Sequence, residues 1–170
     1  LYERGIMMGY GQAEIKPDAV LTLGEAVKVM ISITGYSEWA EQQGGYPSGY
    51  YATAVSNDIL KGVSGAVNEE VNYTDAAVMI QNVLEGKKYR VITGYENNSV
   101  VSSDNNEEYM GYALNIYRYT GIVGAYGNTS LYSADDEYEE NNVKIDNEIF
   151  ETNGIDFSQY LGMKVTAYYK

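Results

Sequence analysis

A chain of 170 residues, 45% apolar and 13% aromatic, has the make-up of a folded protein with one sizeable core or two small ones. Its formal charge of −13 excludes the basic footprint of a nucleic-acid or anionic-membrane binder. With no Cys and no His, it can build no disulfide, thiol nucleophile, zinc knuckle, His-ligated metal centre or Ser-His-Asp triad.

The chain opens at Leu1 without an initiator Met or signal sequence and reads as a piece of a longer protein; no apolar run has the length of a bilayer-spanning helix. From Leu21 the rhythm is helical. Thr22 with Glu25 three residues on forms a capping box, Ala26, Val29, Met30 and Ile33 recur at helical spacing, and Gly35 supplies a stop. The Gly-Tyr-Pro-Ser-Gly turn at Gly45 to Gly49 introduces an apolar helical stretch, Tyr50 to Leu60. A second capped helix runs from Tyr73 to Leu84, after Asn72 and with Asp75 in its first turn, ending at Gly86.

Near Tyr89 the pattern changes. Glu96 to Glu108 is polar and acidic and reads as a hairpin tip or mobile connection. Tyr112 to Tyr126 mixes β-branched and aromatic residues, with Gly121, Gly124 and Gly127 as bends or bulges. Then follow a turn at Asn128, a short strand from Thr129 to Tyr132, and an acidic loop from Asp135 to Asn142. Val143 to Phe150 reads as a hairpin turning at Asp146-Asn147. Asp156 to Leu161 makes one helical turn, and Gly162 leads into an alternating strand, Met163 to Tyr169. The expected class is α+β: helical repeats over 1–88, then a small antiparallel β-barrel or sandwich over 89–170. Of the 22 aromatic residues 19 are Tyr, which suits half-buried sheet faces and wet contact surfaces better than a dry interior.

The helical segments repeat. Arg4-Gly5-Ile6-Met7-Met8-Gly9 leads through a loop to Leu21-Thr22-Leu23-Gly24-Glu25-Ala26, as Asn57-Asp58-Ile59-Leu60-Lys61-Gly62 leads to Val71-Asn72-Tyr73-Thr74-Asp75-Ala76. With Gly5 to Tyr10, Pro17 and Trp39-Ala40 in the same order, this layout resembles the S-layer homology domain of bacterial surface proteins over about half the chain. The resemblance implies stacked helix-loop-helix copies at an extracellular bacterial surface or cell wall. In that family the Arg of the Thr-Arg-Ala-Glu cap is implicated in holding an anionic wall polysaccharide. Here the matching positions are Leu23 and Tyr73, beside the cap acids Glu25 and Asp75, so the fold carries over better than the ligand.

The expected function is therefore non-catalytic: surface-layer or filament assembly, or cell-wall association. The partners implied are copies of the chain, other surface proteins or secondary wall polysaccharide. The alternative is a carbohydrate-binding accessory module of a larger surface enzyme. Trp39, Tyr46, Tyr50 and Tyr51 are candidates for a sugar-stacking platform, against a packing role for Trp39. Asp135, Asp136 and Glu137, near Glu139 and Glu140, are candidates for Ca²⁺, against a merely solvated loop without calcium-loop spacing. Nothing in the sequence marks two carboxylates facing each other across a sugar, as a glycosidase would need.

Overall fold

The computed structural model describes residues 6, 16, 18–96, 99–132 and 141–170. Most of the Gly5 to Tyr10 turn, Pro17, Asn97-Asn98 and the acidic run Asp135, Asp136, Glu137, Glu139 and Glu140 lie outside them. The chain is a mixture of helix and antiparallel sheet, an α+β architecture. It divides into two compact units, Leu1–Asn115 and Ile116–Lys170. No helix among the described residues is long and apolar enough to cross a membrane.

The first unit is built on helix α1 (Leu23–Thr34), α2 (Ser37–Gln42), α3 (Ser48–Ser56) and α4 (Tyr73–Glu85). The capping box forms at α1: Glu25 N–H donates to Thr22 Oγ1 at 3.3 Å, and Thr22 N–H donates to Glu25 Oε2 at 2.9 Å. Gly35, left-handed at φ 88°, ends the helix. The buried stripe is Leu23, Ala26, Val27, Met30, Ile31 and Thr34, turned slightly from the expected one, so that Val29 and Ile33 are only half-buried. Asn72 caps α4 by accepting the Asp75 N–H at 2.8 Å.

Two close contacts decide how these helices pack. Gly49, in the first turn of α3, lies against the end of α2, where an added Cβ would run into the carbonyl oxygen of Ala40. On α4, the Asn82 side-chain amide donates to the carbonyls of Ile59 and Lys61 at 3.0 and 2.8 Å, holding the turn that follows α3. Residues of all four helices and this turn, among them Ile31, Ala40, Ala54, Ile59 and Met79, form one core. The strand-like start of α4's loop also lies along the start of α1. Leu23 N–H donates to Glu69 O and Gly24 N–H to Val67 O, both at 2.8 Å, and Val71 N–H donates to Leu21 O at 3.0 Å.

A hairpin of β1 (Lys87–Glu96) and β2 (Ser99–Glu108) follows, with Arg90 opposite Ser103 and Glu96 opposite Ser99. The polar run from Glu96 is thus mostly a paired strand, and the change of pattern at Tyr89 marks a hairpin inside the first unit. The chain comes back to where it left: Tyr109 N–H donates to Gly86 O at 2.8 Å, and helix α5 (Tyr109–Leu114) brings Tyr109 against the helical core. That return explains why the division falls after Asn115.

The second unit is one five-stranded antiparallel sheet of β3 (Tyr117–Tyr126), β4 (Thr129–Ser130), β5 (Asn142–Ile145), β6 (Glu148–Glu151) and β7 (Lys164–Tyr169). A single 3₁₀ turn, Ser158–Tyr160, precedes β7. Long β3 pairs β7 along its first half and β4 and β5 along its second, with a register shift between Val123 and Ala125. Gly124 sits at that shift, and a Cβ there would collide with the Tyr132 ring. The β5–β6 hairpin turns at Asp146 (φ 48°) and Asn147 as the sequence suggests. Asp146 ties it to β3: its N–H donates to Ile122 O and its Oδ1 accepts the Ile122 N–H, each at 2.9 Å, beside Gly121 where a side chain would block the carboxylate. The sheet is open, not closed: among the described residues β6 pairs only β5, and β7 only β3.

Candidate functional site

The inner face of the second sheet follows from the registers. Residues directly opposite in an antiparallel pair share a face. Tyr117, Tyr119 and Gly121 therefore lie with Tyr169, Ala167 and Val165, while Val143 and Ile145 lie with Phe150 and Glu148. Only Val123, Val143 and Ile145 are fully buried in the cluster on this face; Tyr119, Tyr126, Phe150, Phe157, Leu161, Val165 and Ala167 pack around them half-covered.

The rings form a continuous run across three strands. Tyr117 and Tyr169 have centroids 5.7 Å apart, Tyr169 and Phe150 5.0 Å, and Phe150 and Tyr119 5.3 Å, all tilted. A cleft of about 820 Å³ opens beside them. Its walls come from β6 and β7, its base from Tyr119, Val143 and Ile145, and the rest from the segment between Thr152 and Phe157. Ile155, more than half exposed, joins the half-covered Tyr119, Phe150 and Phe157 there, so the cleft is an apolar surface in contact with water.

The charge in this cleft is mostly negative, with Glu148 and Glu151 against Lys170. Burial, and then the nearby carboxylates of Asp146 and Glu148, push the Tyr119 phenol above its ordinary range. Among the described residues no group of three acidic side chains is placed to hold a metal ion. Stacking faces, a phenol and carboxylates can hold a ligand.

The residues singled out from sequence are distributed differently. Tyr50 is 4% exposed, its hydroxyl donating to Glu41 Oε1 at 2.9 Å, and Leu23 is 3% exposed; both are core side chains and offer no face to a partner. Burial and then the Glu41 contact raise the Tyr50 phenol. Trp39 and Tyr51 are half-buried, Tyr51 against the helical core. Tyr46 is 47% exposed, packs edge-on to Tyr50 at 6.2 Å and carries Lys28 Nζ 5.4 Å from its ring centroid. These four aromatics therefore present no common flat surface. Glu25 and Asp75 are engaged in the caps of α1 and α4, whereas Tyr73 is 97% exposed on its own. The Ca²⁺ candidates Asp135, Asp136 and Glu137 lie outside the described residues.

The cleft aromatics were missed as a set because residues 119, 150 and 169 meet only through sheet pairing. The one local signal is alternation, which puts Val165, Ala167 and Tyr169 on a single face. Comparison with protein-family profiles, with curated proteins and with solved structures found no match to this chain.

Proposed function

We propose that this chain is a non-catalytic binding and assembly module of a bacterial cell envelope, exposed outside the cell, whose contact surface is the aromatic cleft of the second unit. The capped helices α1 and α4, each closing one of the two similar segments of the sequence, support a helical unit of the S-layer homology type. The sheet unit we read as a small barrel left open between β6 and β7. The observation that carries the reading is the run Tyr117–Tyr169–Phe150–Tyr119, kept beside an open cleft instead of being sealed into a core. Amphipathic rings of this kind supply contact area at low conformational cost. With no His or Cys available, holding a partner is the chemistry this surface does best.

The alternative, a glycan-binding accessory module of a larger surface enzyme, draws on the same rings and on Asn153 at the cleft. A pull-down on purified cell-wall sacculi, with and without secondary polysaccharide, run beside light scattering of the free chain, tests the proposal. Binding to the wall or reversible self-association is expected, and Tyr169→Ala should weaken whichever occurs. A chain that stays monomeric at high concentration and ignores the wall would overturn it.

A further inference from the structure

We infer that the cleft between β6 and β7 receives an extended, Lys- or Arg-bearing segment of a partner polypeptide, an assignment that rests on the binding role proposed above and names its occupant. The backbone supplies the first reason. In the β5–β6 hairpin Ile145 faces Glu148 and Val143 faces Phe150, and Thr152 N–H donates to Asn141 O at 2.7 Å. Hydrogen bonding to β5 therefore runs through residues 148, 150 and 152, and the N–H and C=O groups of Ile149 and Glu151 point away from it. Among the described residues nothing pairs with them. An added strand would find two residues' worth of ladder there, and its side chains would alternate between the cleft and solvent.

The side chains supply the second reason. Glu148 shares the inner face with Phe150, and the rings of Tyr119, Phe150 and Tyr169 lie against the same cleft. A cationic side chain entering it meets ring faces and a carboxylate together, which favours an ammonium or guanidinium over a neutral group. Charge ranks the occupants, setting a basic segment ahead of those the wider reading allows. Glu148 and Glu151 outnumber Lys170 at the cleft, and the chain as a whole carries −13, so an anionic polysaccharide or a second copy meets like charge. A short edge strand bearing two Glu is also guarded against indiscriminate pairing, and a basic strand is the kind that cancels that guard.

Titration calorimetry of the whole chain with a capped Val-Lys-Val-Lys-Val-Lys peptide, its Glu-for-Lys counterpart and a neutral chito-oligosaccharide tests this. The Lys peptide is expected to bind, more weakly as salt rises, and to lose about tenfold in affinity to a folded Glu148→Gln/Glu151→Gln variant, while the Glu peptide does not bind. Amide exchange at Ile149 and Glu151 should slow when the Lys peptide is bound. Unchanged affinity in the double variant, unchanged exchange at those amides, or binding of the oligosaccharide alone would each overturn the assignment. If wall binding or self-association persists while the Lys peptide fails to bind, only the occupant is wrong; if all three fail, the binding role falls with it.

Discussion

The helical unit and the sheet unit bury apolar surface in different ways. In the first, aliphatic side chains from four helices, such as Val27, Ile31, Ala54, Met79 and Val83, pack at or below 3% exposure into one dry interior. In the second, three small aliphatics, Val123, Val143 and Ile145, are ringed by half-covered Tyr and Phe. A dry aliphatic core gives cohesion and few handles for a partner. A wet aromatic rim gives less cohesion and many handles. The two residue economies separate scaffold from contact surface without any motif to mark the boundary.

The strongest test of this contrast is to empty one core at a time. Ile31→Ala and Ile145→Ala each remove a fully buried side chain, and each should cost about 2–5 kcal/mol in urea unfolding. Only Ile145→Ala should shift the NMR signals of Phe150 and Tyr169; if Ile31→Ala shifts them equally, the separation fails. Next comes Gly49→Ala, whose methyl meets the Ala40 carbonyl and should destabilise the helical unit by about 1–3 kcal/mol in the same assay. A value near zero would mean that α2 and α3 are not held this closely.

Smaller effects sharpen the picture. Thr22→Ala and Asn72→Ala each remove a helix cap and should cost about 1 kcal/mol, read from thermal melts followed by helical circular dichroism. The smallest effect concerns pH. The folded Tyr50 phenol is raised from its ordinary value of 10.0, so the unfolded chain ionises first and binds fewer protons above that pH. Its contribution is fully present below about pH 10 and declines as pH climbs through the raised value. Melting temperatures between pH 8 and 11 should fall less steeply for Tyr50→Phe than for the parent; parallel curves would remove Tyr50 as the titrating group.

Local chemistry was legible and long-range assembly was not. Thr22 with Glu25, Asn72 with Asp75, the Asp146-Asn147 turn, the helical turn before β7 and the bulge at Gly124 are all written in residues a few positions apart, where spacing and conformational preference suffice. Glu96 to Glu108 reads as a hairpin tip or mobile connection because Ser102 to Glu108 lacks the branched and aromatic residues of a strand; a hairpin is there, but pairing with β1 overrides that composition and makes Ser99 to Glu108 strand. Helix α5 starts at Tyr109 and runs into the stretch from Tyr112 that reads as strand, since Tyr112 and Leu114 suit either form. Tyr50 and Tyr46 look alike in sequence, yet only packing decides that one is covered and the other exposed. The cleft needed strands from 117 to 169 brought together, a distance over which periodicity says nothing.

The pairing of the loop before α4 with the start of α1 has a consequence for how the helical unit can be taken apart. Two of the amides that a helix start ordinarily leaves open, those of Leu23 and Gly24, are closed by carbonyls at Glu69 and Val67, in the loop before α4. The dependence runs one way, because α4 keeps its own cap at Asn72. Cutting out the loop at Val67 to Glu69 would open the start of α1, so a shortened version of the helical unit must spare that loop or supply α1 with a new one.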